Sequence, residues 1–200
     1  MNEFGLALLV ALTGWWFSTG VILWLVHRSE RYHRKIFAVS TLTMLLAFYG
    51  VAMSVYESTP QSVVLAFCLA LLLWGWLEMG YLMGFISGPR KEACPEGATT
   101  ASRMRLGLST CLWHELTLLA MVGVLVWLSW QQTNQTALWT FTVLWLMRWS
   151  SKLNLVLGVR NYNHRWLPGH LAYVHSYIPR RRLNPLFPVS VALGALVTFL

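Results

Sequence analysis

Residues Trp74–Arg90 read WGWLEMGYLMGFISGPR: the end of a long apolar run that carries one carboxylate, Glu78, and stops on a basic loop. The run as a whole covers 62–87, more than the roughly 20 residues a helix needs to cross a bilayer's hydrocarbon core. Five further stretches share its character, at 4–26, 36–56, 108–130, 137–158 and 186–200. The last of these is short for a full crossing and reads as a truncated span. The first resembles a signal peptide in position, but it lacks a basic leader and a small-residue cleavage site, so it reads as a retained helix.

Composition agrees with this reading. The chain is 56% hydrophobic and 11% charged, with 12 Trp and a mean hydropathy of +0.53. A soluble domain with an ordinary polar surface is excluded. The expected fold is all-α, a polytopic integral membrane bundle of about six transmembrane helices forming a single domain over residues 1–200. Its 15 Lys and Arg oppose 7 Glu and no Asp, yet no nucleic-acid motif accompanies the excess. Cys68, Cys94 and Cys111 form no CxxC pair, so no disulfide framework is expected.

The bases sit in alternate loops. Segments 27–35, 88–107 and 159–185 hold thirteen of the fifteen, and 57–61 and 131–136 hold none. The positive-inside rule then places the basic loops in the cytoplasm and the N-terminus outside. Trp15, Trp16, Trp127 and Trp130 fall toward the outer interface and Trp24 toward the inner one, whereas Trp74, Trp76, Trp139 and Trp145 suit either a belt or packing. In the final loop Tyr162, Trp166, Leu167, Leu171, Tyr173, Val174 and Tyr177 alternate with Arg165, His170, His175 and Arg180 to Arg182. That pattern suits a segment lying on anionic lipid, or a docking surface.

Four charges lie inside spans: Glu78, Glu115, Arg148 and Lys152. Counted from the span ends, all fall in the cytoplasmic half, ~9 to 15 Å from the inner boundary at the helical rise. Arg148 and Lys152 share a helix face, and Tyr81 and His114 adjoin the acids in sequence. Charge at mid-bilayer is costly and is usually paired or functional. Ion pairs Glu78–Arg148 and Glu115–Lys152 that fix helix register are one reading. Ligation of a pigment or metal by His114 and an acid, or proton handling, is the other, with Lys152 alone able to snorkel. One axial imidazole suffices for a chlorophyll or haem, which makes His114 the candidate cofactor ligand. The remaining His27, His33, His164, His170 and His175 sit in loops, and His114-Glu115-Leu116 lacks the second His of HExxH, so no metal site is expected. No P-loop, GxGxxG or GxSxG motif occurs.

Four segments, WGWLEMGYLMGFISGPRKEACP, LWHELTLL, WTFTVLWLMRWSSKLNLVLGVRNYN and RRLNPLFPVSVALG, together resemble the photosynthetic complex assembly protein family PuhE of purple bacteria, encoded beside the reaction-centre H subunit. The resemblance spans most of residues 60–195. Where that family reads W-H-E, this chain reads Trp76-Leu77-Glu78, keeping one His–Glu pair, His114-Glu115. The matched segments imply Glu78, Arg90, His114, Glu115, Arg148, Lys152, Asn154, Arg160 and Asn161 as the positions of interest. They also imply an inner-membrane factor that assists assembly of the reaction-centre and core light-harvesting complex, or adjusts its bacteriochlorophyll supply. Its partners would be subunits of that complex, other assembly factors and anionic lipid. An integral-membrane enzyme acting on a tetrapyrrole or isoprenoid, with Glu78, His114 and Glu115 as ligands or acid-base groups, is the competing expectation.

Overall fold

A computed structural model describes residues 3–162, 167–182 and 184–199, with the side chains of 3, 4, 6 and 197–199 left aside. His164, Arg165, Trp166, Leu183 and Leu200, which the sequence reading singled out or included in its segments, lie outside the described residues. Among the described residues seven α-helices follow in order: α1 Glu3–Val26, α2 His33–Ser54, α3 Pro60–Leu82, α4 Thr100–Ser109, α5 Leu112–Ser129, α6 Thr136–Leu157 and α7 Leu186–Phe199. Short 3-10 segments occupy Glu30–Tyr32 and Gly169–Tyr177. Each of the six expected spans contains an α-helix. Four helices, at Ala7–Val26, Glu30–Ser54, Pro60–Leu82 and Leu112–Ser129, are long and apolar enough to cross a membrane. The fifth, α6, has the length but carries Arg148 and Lys152, and α7 is a shorter apolar helix.

Two expected spans end differently from the hydropathy reading. The run 62–87 is helical only to Leu82, where Met83 N–H closes on the Met79 carbonyl and Ile86 N–H turns back to Gly80 O at 2.9 Å. The run 108–130 is broken near Thr110, so that α4 stops and α5 starts afresh at Leu112. The Thr110 hydroxyl donates to Gly107 O at 2.6 Å, and Ser87 O accepts from Trp113 N–H at 3.0 Å. Hydropathy does not see such breaks, because hydroxyl and carbonyl groups terminate a helix without changing how apolar the run looks.

The chain divides into two compact units, residues 1–86 with 114–143, and residues 87–113 with 144–200. In the first, α1 and α2 both pack on α3. Association in lipid lacks a hydrophobic driving force and depends on close contact between small residues. Ala47, Val51, Ala66 and Ala70 are accordingly buried, and Val26, Met79 and Met83 join Ile22, Leu25, Ile36 and Phe37 in one apolar cluster. Trp74 is buried edge-on against Phe141, and Trp76 Nε1–H donates to Thr41 Oγ1 at 2.9 Å. Both are packing residues. Trp15, Trp16, Trp24, Trp127, Trp130 and Trp139 are exposed.

Helix ends are closed by side chains. Thr59 accepts from Ser62 N–H ahead of Pro60 at the start of α3, a favoured N-terminal arrangement. His33 Nε2–H donates to Val26 O and Arg28 O at 3.1 and 3.0 Å, so the first residue of α2 closes the end of α1. Asn134 Nδ2–H donates to Ser54 O at the end of α2, and Asn134 Oδ1 accepts from Thr136 N–H at the start of α6. In the second unit Asn184 Nδ2–H donates to Asn154 O and Gly158 O, while its Oδ1 accepts from Phe187 N–H in the first turn of α7.

Gly88 lies against the break between α4 and α5. A Cβ there would overlap the Ser109 carbonyl oxygen and sit 2.5 Å from the Thr110 carbonyl carbon. Gly88→Ala should therefore destabilise the fold by about 1–3 kcal/mol through backbone overpacking. Gly123→Ala, with nothing within 4 Å of its added methyl, should change stability by less than about 0.5 kcal/mol. Thermal unfolding in detergent checks both, and equal midpoints for the two variants would contradict the packing assigned to Gly88.

Candidate functional site

The sequence-derived positions fall into separate settings. Glu78, His114 and Glu115 belong to the first unit, and Arg90, Arg148, Lys152, Asn154, Arg160 and Asn161 to the second. His114 and Glu115 open α5, with the imidazole fully enclosed and the acid 5% exposed. His114 Nδ1 stands 3.5 Å from Glu115 Oε1, and the Tyr81 ring meets the imidazole edge-on with centroids 5.3 Å apart. Buried carboxylates need a partner of this kind, because desolvation of an isolated charge costs several kcal/mol. Glu78 is half-buried on α3. Gly75 and Gly80 flank it and are filled by neighbours, Ile22 against Gly75 and Ile86 and Phe37 against Gly80. The two glycines admit helix packing. Leu77 is fully buried.

An axial ligand to a bacteriochlorophyll needs one imidazole nitrogen open to the macrocycle's metal. His114 has no exposed surface in this structure. Its geometry suits a buried hydrogen-bonding and charge-balancing pair. Among the described residues, no group of three or more His, Cys, Asp or Glu is placed to hold a metal ion.

In the second unit several motif residues make polar contacts of their own. Lys152 Nζ donates to Cys111 Sγ at 3.4 Å. Asn154, buried one turn below Ser150, donates to Ser150 O and to Ser190 Oγ of α7, both at 2.9 Å. Arg148 is half-buried, while Arg160 and Asn161 are exposed where the chain leaves α6. Arg90 lies in the loop before α4. Its Nε–H donates to Tyr177 Oη at 2.7 Å and its Nη2–H to Ala93 O at 3.1 Å, and Nη1 stands 3.2 Å from Glu92 Oε2. Tyr177 O–H donates in turn to Glu92 O at 2.9 Å, and Cys94 N–H donates to Ser176 Oγ at 2.7 Å. The bond to Tyr177 raises the pKa of the guanidinium above its ordinary value, against an opposing contribution from burial. Burial pushes the Tyr173 phenol up, with Cys111 and Tyr177 adding to it.

Leu171 and Tyr177, expected on a lipid-anchored face, are instead buried in the protein at 1% and 2% exposure. Tyr177 is occupied by the 90–94 loop, a pairing over more than 80 residues of chain that periodicity cannot report. Sequence reading also passed over Asn134 and Asn184. Each stands just before a helix, where Asn is a favoured cap, and that was the available signal.

If the Tyr177 hydroxyl holds the loop, Tyr177→Phe should leave the helices intact and make trypsin cut after Arg90 or Lys91 about fivefold faster, as expected for losing a buried hydrogen-bond pair. Time-resolved proteolysis of the detergent-purified chain checks this, and an unchanged rate would show that these bonds do not restrain the loop.

Residues 1–200 match the family model described as a protein of unknown function, DUF3623. A Rhodobacter capsulatus protein described as "Uncharacterized 30.4 kDa protein in puhA 5'region" is 37% identical over 202 residues, covering 99% of this chain and 74% of that protein. No solved structure matches the chain. With the family model covering the whole sequence and that relative sharing nearly all of it, the chain belongs to the DUF3623 family.

Proposed function

We propose that this protein is an inner-membrane accessory factor for assembly of the photosynthetic reaction-centre and core light-harvesting complex, of the PuhE type, acting by docking nascent subunits and modulating their bacteriochlorophyll supply. The observation that carries the reading is the relative's location in the puhA 5' region, which agrees with the four motif segments resembling a family encoded beside the reaction-centre H subunit. The fold is compatible with such a role. Its helices expose broad apolar surface to lipid or to partner helices, and its polar residues are spent on internal ties that hold the loops in place. In this reading the N-terminus is periplasmic, and the basic loops, with Arg90 and Arg160 among them, face the cytoplasm where nascent subunits are met.

The buried pair His114–Glu115 with Tyr81 favours the competing enzyme reading more than any other feature does, since imidazole, carboxylate and phenol are acid-base groups. One preparation separates the two. A tagged copy purified from phototrophically grown cells should bring down reaction-centre or core antenna subunits, identified by mass spectrometry, without stoichiometric metal. Stoichiometric iron or zinc that vanishes in Glu115→Gln, with no photosynthetic subunit retained, would overturn the assembly role in favour of a membrane enzyme. A Soret-absorbing pigment present in the wild type and lost in His114→Ala would show that His114 opens to a macrocycle.

A further inference from the structure

Between the end of α6 and the start of α7, within the second unit, a cleft of about 300 Å³ is lined by Val159, Tyr162, His175, Ile178, Pro179 and Arg180. Its walls are fixed by backbone. Val159 N–H donates to Pro179 O and Val159 O accepts from Arg181 N–H, both at 3.2 Å, forming an isolated parallel bridge between Val159 and Arg180. Gly158, at φ +113°, makes the turn out of α6, and a Cβ there would press within 2.8 Å of Arg181. The Tyr162 and His175 rings meet edge to face at 5.4 Å. Burial pushes the Tyr162 phenol up from its ordinary value, which keeps its hydroxyl a donor.

The charge of this region has no internal counterweight. From Leu116 to Leu200 the sequence contains no acidic residue. The second unit holds eleven Lys and Arg against Glu92 and Glu96, and Glu92 is engaged by Arg90. An anion that satisfies Arg180 from outside the unit is therefore favoured. The lining combines polar and apolar groups: the guanidinium, imidazole and phenol of Arg180, His175 and Tyr162, with Val159, Ile178 and Pro179. Free phosphate would leave Val159, Ile178 and Pro179 without an apolar partner. A phosphodiester carrying a glycerol body offers a partner to both kinds of group. The cleft opens two residues past the last residue of the 22-residue helix α6 and six before the apolar helix α7, which is the headgroup level for helices that enter a bilayer there.

We propose that this cleft is a binding site for the headgroup of an acidic phospholipid, with Arg180 pairing the phosphate, Tyr162 donating to its oxygens beside the His175 ring, and the three apolar residues covering the glycerol. The site does not depend on the assembly role and can be tested without it. Native mass spectrometry of the full chain in detergent, with phosphatidylglycerol or phosphatidylcholine added, reads the occupancy directly. Retention of one phosphatidylglycerol and no phosphatidylcholine is expected, with Arg180→Gln weakening retention about fivefold and Arg182→Gln, outside the cleft, leaving it unchanged. Equal retention of both lipids, or equal loss in the two Arg variants, would reduce the effect to diffuse surface charge and overturn the site. Displacement of the lipid by inorganic phosphate would overturn the lipid assignment and give the cleft to a soluble ion.

Discussion

Helix ends surrounded by apolar groups must have their spare carbonyls and amides satisfied by the chain itself, since no water is at hand in lipid to do so. Three side chains in this protein meet that demand for two helices at once. His33 closes α1 while starting α2, Asn134 closes α2 while starting α6, and Asn184 closes α6 while starting α7. Each therefore sets where one helix stops and where another begins. A single amide with two donors and one acceptor fixes more geometry here than several apolar contacts do, because hydrogen bonds are directional and dispersion is not.

The same economy governs the charged residues. Glu115 is held against His114 within one unit, and Arg90 against Glu92 and Tyr177 within the other. The first pair is buried and the second lies at the surface, while four further bases, Arg160 and Arg180 to Arg182, lie in the chain segment that follows α6. The polar groups at the start of α5 are packed closed, whereas those around Arg180 line open volume.

How far the site could be read in advance depended on the residue. Glu115, His114 and Arg90 stood out, because a charge in or beside an apolar run is rare enough to signal itself. Tyr177 was read as an interface anchor, since an aromatic among bases looks the same whether it faces lipid or a loop more than 80 residues away in sequence. Trp74 and Trp76 were ambiguous for the same reason, and packing against Phe141 and Thr41 resolves them. The break at Thr110 was invisible to hydropathy because it depends on which carbonyls the neighbouring backbone can reach.

That the chain is helical, that its long helices are apolar enough to cross a membrane, and where its basic loops lie are all legible in the residues alone, because those properties follow from runs and counts along one segment. Which side chains share a setting came from folding: Tyr81 meets His114, Tyr177 holds the 90–94 loop, and Tyr162, His175 and Arg180 line one cleft. Those contacts join positions far apart in the chain, and their geometry is set by where helices end and turn, which local composition does not encode.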